Sequence, residues 1–283
     1  MSGSDILAAV RAELQRTNFA GRRVTLAEGV AVCAGTTWLA WRGAGPVPGL
    51  MLGAIGGLGI VDDLIEPRAR RAGRATPKGL RGHLGALRAG RPTTGAIKAL
   101  GIPLIALGVV LADRGRRGPV MVMCDAALIA GSANLINLLD LRPGRALKAV
   151  LPAAVLLLLP SAEPTGAEHP ARPATAAALA RAAALPAAAA LPMDLRERGM
   201  LGDAGANILG AALGAAAAHR LPPAARLGLL TGVVALTVLS ERISFSAVIE
   251  STPALRALDQ LGRRATPDAA APSGPAASPG AAT

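Results

Sequence analysis

The sequence predicts an all-α, polytopic transmembrane bundle, and three observations carry that reading. Apolar residues make up 52% of the 283, and they come in long uninterrupted blocks rather than amphipathic stripes. Mean hydropathy is +0.43 in spite of a net charge of +12. The 30 Lys and Arg stand almost entirely between the blocks, so the charge reads as topology information. With two Phe, two Trp and no Tyr, the chain offers almost nothing for bases to stack on, which excludes a nucleic-acid-binding reading.

Met1 to Arg23 is polar and mixed in charge, without the pattern of a cleavable signal peptide. Eight candidate spans follow, at about 24–41, 46–61, 96–112, 119–139, 149–160, 173–193, 204–219 and 224–239. The fifth is short and the sixth is Ala-rich, with Arg181 inside it. If all eight cross, the N-terminus shares a side with the segments 62–95, 140–148, 194–203 and 240–264. That side holds 21 Lys and Arg against six in the opposite loops, which makes it cytoplasmic by the positive-inside rule. Cys33 and Cys124 lie within apolar blocks and read as small packing residues, not as a disulfide framework or a zinc site. The membrane domain is expected to span 1–264. From 265 to 283 the chain is almost wholly Pro, Ala, Ser, Gly and Thr, a composition expected to be disordered.

The polar motifs fall on the expected cytoplasmic side: Asp62-Asp63-Leu-Ile-Glu66 after the second span, Asn134-Leu-Ile-Asn137-Leu-Leu-Asp140 closing the fourth, and Gly202-Asp203-Ala-Gly205 opening the seventh. Two carboxylates at a helix C-terminus meet an already negative macrodipole, so a compensating cation is expected there. Either the basic loop Arg68, Arg70, Arg71, Arg74, Lys78 and Arg81 supplies it, or a hard divalent cation does. Asp203 reads as an N-cap or as part of a phosphate and metal site at a helix start. Asn134 and Asn137 read as interhelical hydrogen-bond partners or as ligand contacts. The glycines at 53, 56, 57 and 59 lie inside a span with no strand before them, which points to close helix packing and not to a nucleotide loop. His83, in the basic loop, reads as solvated or phosphate-contacting. Asp125 and Arg181 are charges within spans whose depths match within about 3 Å at 1.5 Å per residue, and the two are expected to pair.

Taken in order, these motifs resemble the polyprenyl-phosphate sugar-1-phosphate transferases, the membrane family that includes phospho-N-acetylmuramoyl-pentapeptide transferase and the N-acetylglucosamine-1-phosphate transferases. The resemblance runs from about Asn18 to Gly214 and includes the Asn18-Phe-Ala-Gly21 segment and the loop Thr76-Pro-Lys78-Gly79-Leu80. It implies transfer of a sugar-1-phosphate from a nucleotide-diphospho-sugar, UDP-linked, to a polyprenyl phosphate in the plasma membrane, with release of a nucleoside monophosphate. It further implies a requirement for Mg2+, or Mn2+, held by Asp203 and Asp63. Asp62 would orient or deprotonate the lipid phosphate, Lys78 would stabilise phosphate charge, and Asn134, Asn137 and Asp140 would face the nucleotide. The cell-envelope setting leaves room for a homodimer.

Three departures accompany the resemblance. Pro143 stands where the family continues to a second aspartate. The family's His-rich loop is replaced by Glu241-Arg-Ile-Ser-Phe-Ser246 to Glu250, followed by Arg263-Arg264. Seventeen residues precede Asn18, where the family places a membrane helix, so the chain is expected to lack that helix or to have a misassigned start. A non-catalytic relative that binds lipid phosphate as an envelope scaffold is the alternative expectation.

Overall fold

The computed structural model describes residues 2–71, 93–113, 118–160 and 171–264, with 85, 88 and 90 described singly. Lys78 and its loop, His83, His169 and the tail beyond Arg264 lie outside the described residues. In chain order the elements are α1 (Gly3–Leu14), β1 (Gln15–Thr17), β2 (Arg23–Thr25), α2 (Ala27–Ala44), α3 (Pro46–Arg71) and α4 (Thr94–Ala112). Then come α5 (Pro119–Leu139), α6 (Arg145–Leu158), α7 (Ala171–Leu195), α8 (Gly202–Arg220), α9 (Pro223–Ser240), α10 (Phe245–Ser251) and α11 (Pro253–Gln260).

Several helix starts are written in the chain. Pro119, Pro223 and Pro253 open α5, α9 and α11, where proline's missing N–H costs nothing and its fixed φ suits the first turn. The Thr93 hydroxyl accepts from the amide of Ala96 at 3.1 Å and caps α4. Ser2 and Asp5 form a capping box on α1.

The helices α2, α3, α4, α5, α6 and α7 each pack on the next, and α7 closes on α2, so that the six form a ring. Inside it runs α8, packed against α2, α3, α5, α6 and α7 and buried at every residue from Ala204 to Ala218. A helix made of Ala, Gly, Leu and Ile all round has no polar face to give to water, so the centre is where it is stable. Small residues also let neighbours come close. A Cβ on Gly59 of α3 would stand 2.5 Å from the Asp203 carbonyl oxygen and 2.6 Å from Ala204 Cα, so only glycine permits this crossing. The expectation that the α3 glycines serve packing holds for Gly59 and for Gly56, whose added Cβ would strike Cys33 Sγ, while Gly57 meets nothing within 4 Å.

Helices stand at all eight places where spans were expected. Five of them, Pro46–Ala69, Thr94–Ala112, Pro119–Leu139, Pro173–Leu195 and Pro223–Ser240, are long and apolar enough to cross a membrane. The helix at the short fifth block, α6, has 14 residues. The hairpin β1–β2, which pairs Arg16 with Val24, follows no hydrophobic alternation, and a segment read only as basic and polar gave no sign of it.

The expected Asp125–Arg181 pair is not formed. Asp125 is fully buried on α5, and both of its carboxylate oxygens accept from Arg226 Nη1 of α9, at 2.9 and 2.8 Å. Arg181 is exposed on α7, a helix that packs against α2, α6 and α8. A match of depths along two spans says nothing of direction around the helix, and it is α9 that packs against α5 and brings Arg226 to Asp125. Breaking a buried ion pair from one side costs roughly 3–5 kcal/mol, whereas replacing both charges with apolar groups is often neutral. Arg226→Ala should therefore lower thermal stability in detergent sharply, and Asp125→Leu combined with Arg226→Leu should restore most of it. Arg181→Ala should leave the melting temperature within about a degree of the parent, as expected for an exposed substitution.

Candidate functional site

The site is assembled at one end of the ring, where α4 and α8 begin; α3 continues past Asp62-Asp63 to Arg71, so the aspartate pair lies within the helix and not at the C-terminus expected from the sequence. Its first fixed point is Asp63. The amide of Asp203 donates to Asp63 Oδ1 and that of Ala204 to Oδ2, both at 3.0 Å. A helix leaves its first amides without intrahelical acceptors, and α8 has no side-chain cap of its own, with Leu201 at the N-cap position. Asp203 is therefore not the N-cap that its position suggested. Asp63 supplies the cap from another helix, and its negative charge meets the positive end of the α8 dipole. Gly202 makes room at this joint, since its φ of 58° is left-handed and a Cβ there would lie 2.8 Å from Asp63 Oδ2. The Asp63 carbonyl in turn accepts from Arg16 of the β1 strand.

The second fixed point is Lys98, one turn into α4. Its ammonium lies 2.9 Å from Asp62 Oδ2 and also pairs with Asp203 Oδ2. Asp62 is only 5% exposed, and among the described residues Lys98 is the cation paired with it. Sequence reasoning asked for a cation beside Asp62-Asp63 and looked to the basic loop; it passed over Lys98. The signal was present: a lone Lys in an otherwise apolar block, five residues after the capping Thr93. Asn207 was also passed over. It is 1% exposed, and its side-chain amide donates to the Asp203 carbonyl at 2.6 Å, which stiffens the first turn of α8.

Asp140, just past the end of α5, faces the same group of acids. Its carboxyl lies well above the ordinary carboxylate range, first because it is buried and then because Asp194, Asp203, Asp63 and Glu28 surround it with negative charge. Asp194, 3% exposed, accepts from the amide of Gly144 at 2.8 Å and so ties the turn after Asp140 to the end of α7. Glu28 of α2 is buried nearby, with no hydrogen-bond partner for either oxygen among the described residues. Asn137 is half-buried and its carbonyl accepts from the Asp140 amide at 3.2 Å, while Asn134 is exposed. On the other flank, Asn18 Nδ2 and Arg22 Nη1 donate to Glu197 at 2.6 and 3.1 Å and hold the hairpin against the segment before α8.

The structure thus brings Asp62, Asp63, Asp140 and Asp203 to one end of the bundle. Asp62 and Asp203 converge on one positive charge, whereas both Asp63 oxygens are committed to backbone amides. Among the described residues no three His, Cys, Asp or Glu side chains form a group able to hold a metal ion. The fit is that of a two-carboxylate site, Asp62 with Asp203, of the kind Mg2+ uses when substrate phosphates complete its coordination. Comparison with protein-family models, with curated proteins and with solved structures gave no match.

Removing Lys98 leaves Asp62 and Asp203 facing each other without compensation. Lys98→Ala should destabilise the protein by about 2 kcal/mol, the scale of a lost charged hydrogen bond. Millimolar Mg2+ should recover a larger part of the melting temperature in Lys98→Ala than it adds to the parent. Differential scanning fluorimetry in detergent with Mg2+ or EDTA measures both; an equal Mg2+ response in the two proteins would separate the ammonium from the cation position.

Proposed function

We propose that this chain transfers a sugar-1-phosphate from a nucleotide-diphospho-sugar to a polyprenyl phosphate, releasing a nucleoside monophosphate. The observation that carries the reading is the convergence of Asp62 and Asp203, from two helices, on the single cation Lys98, beside Asp140 at one end of an apolar bundle. A lipid phosphate slides along the bilayer boundary and a nucleotide-sugar arrives from water, so a site at one end of the spans meets both. In this reading eight spans cross the plasma membrane, and the N-terminus and the acidic end are cytoplasmic, in keeping with the 21 Lys and Arg on that side.

An oxygen of the lipid phosphate attacks the donor's β-phosphorus, a new P–O bond forms, and the bond from that phosphorus to the bridging oxygen breaks. The nucleoside monophosphate leaves with the electron pair. Phosphoryl transfer of this kind needs alignment and charge neutralisation more than covalent help. Mg2+, or Mn2+, held by Asp203 with Asp62, would supply neutralisation of the donor diphosphate. Asp63 keeps its place on the α8 amides and so sets where Asp203 stands. Lys98 moves its ammonium from the carboxylates to the phosphates, and Lys78 adds a second cation. Asp62 orients the lipid phosphate and takes its remaining proton where one is present. Asn137 and Asp140 face the nucleotide.

A second reading, a lipid-phosphate-binding scaffold without catalysis, is favoured by one feature: Lys98 already fills the space between Asp62 and Asp203. The experiment that separates them incubates purified protein with polyprenyl phosphate, Mg2+ and a panel of UDP-sugars and follows nucleoside monophosphate. Release should occur with one donor, stop with EDTA, and fall at least about 100-fold in Asp62→Asn and in Asp203→Asn. Polyprenyl phosphate binding without release from any donor would favour the scaffold.

A further inference from the structure

The reaction leaves the chain after α9 without a task, and that segment has an inverted polarity. The one buried side chain of α11 is its acid, while Arg256 and Gln260 stay exposed. Asp259 of α11, 8% exposed, accepts from Arg145 Nε at 2.7 Å and from Arg263 at 2.7 Å. Burial alone would raise its carboxyl, but the Arg145 bond and charge, with Arg263, hold it below the ordinary range. Lys148 donates to the carbonyls of Leu258 and Asp259 at 3.1 and 2.7 Å, and Arg142 pairs with Glu250 of α10 at 3.1 Å. Arg142, Arg145 and Lys148 belong to the turn and helix that follow Asp140.

The apolar side of α11 is turned outward. Leu255, Leu258 and Leu261, spaced at i, i+3 and i+6, are 42%, 62% and 67% exposed. A helix beside water does the reverse, because burying leucines and wetting an aspartate is the favourable arrangement. The inverted helix is stable only against an apolar phase. Exposed apolar side chains also precede it in the chain: Val234, Leu236, Val238 and Leu239 on α9, then Ile243, and Val248 on α10. At eight residues, α11 is about 12 Å long at 1.5 Å per residue and cannot cross a bilayer. Arg242, Arg256 and Arg264 are exposed on this segment, while Glu250 is paired with Arg142 and the buried Asp259 with Arg145.

We infer that α10 and α11 form an in-plane strap on the membrane surface, with Leu255, Leu258 and Leu261 seated at the headgroup–acyl boundary of an anionic leaflet. The Arg145–Asp259 pair joins that lipid contact to the turn that carries Asp140. The inference rests on the membrane bundle and on the polarity of α11, and is independent of the proposed reaction.

Full-length protein with Trp38→Phe and Trp41→Phe supplies a background for a single tryptophan probe, placed by Leu258→Trp. It is reconstituted in phosphatidylcholine vesicles, with or without phosphatidylglycerol, that contain lipids brominated either just below the headgroup or near the bilayer centre. Emission should be blue-shifted, and shallow bromines should quench it at least about twofold more than deep ones, as for interfacial helices. Val234→Trp on α9, in the same background, should be quenched more strongly by the deep bromines and shows that the protein is inserted. Arg256→Gln with Arg264→Gln should weaken the quenching at 258 in anionic vesicles and leave it unchanged in neutral ones. With the probe at 234 quenched, water-like, unquenched emission at 258 would overturn the strap. Blue-shifted emission at 258 that bromines do not quench, and that reverts when the protein is diluted into excess empty vesicles, would assign the face to a second copy instead and would likewise overturn it.

Discussion

One carboxylate bridge orders the acidic end of this molecule: Asp63, about two turns before the end of α3, closes the open amides that begin α8. A helix N-terminus at a membrane boundary has little water to satisfy it, and a cap of this kind contributes about 1–2 kcal/mol. Its larger effect is geometric. Because α8 is the axis around which six helices are arranged, fixing its first turn against α3 fixes the depth of the axis relative to the ring. The close crossing at Gly59 and the left-handed Gly202 allow that contact. Neighbouring residues on a helix point about 100° apart. While Asp63 is held by α8, Asp62 therefore turns toward α4 and meets Lys98, and the adjacent aspartates come to serve different ends.

What the sequence revealed, and what it did not, follows from this geometry. Apolar blocks and the charges between them state how far along the bundle each residue stands. Asp62, Asp63, Asp140 and Asp203 could therefore be gathered at one end before any coordinates were known. Depth does not state azimuth. Asp125 was matched to Arg181 by depth, although Arg226, three residues into α9, was the cation on the neighbouring helix. Lys98 was missed for the same reason, because its meaning depends on which side of α4 faces α3 and α8. The role of Asp63 was hidden because a cap supplied by another helix leaves no signature near Gly202; the local pattern pointed to Asp203 itself. The hairpin β1–β2 was illegible because its pairing rests on Asn18, Glu197 and the segment before α8, partners far away in the chain.

The two charge clusters inside the apolar bundle are built differently, and the difference says what each is for. Between Asp125 and Arg226 a single guanidinium nitrogen reaches both carboxylate oxygens, and both side chains are buried. An arginine keeps its charge in any surroundings and holds its donors in a rigid fork, so this pair is a permanent joint between α5 and α9. At the other end, Asp62 and Asp203, from two helices, share one lysine, with Asp63 and Asp140 close by. A lysine is a compact point charge on a flexible stem, able to swing away and be replaced. A cluster whose one cation among the described residues sits on a movable arm is poorly arranged as a structural joint. It is well arranged to receive a second cation together with the phosphate oxygens to which that lysine then turns.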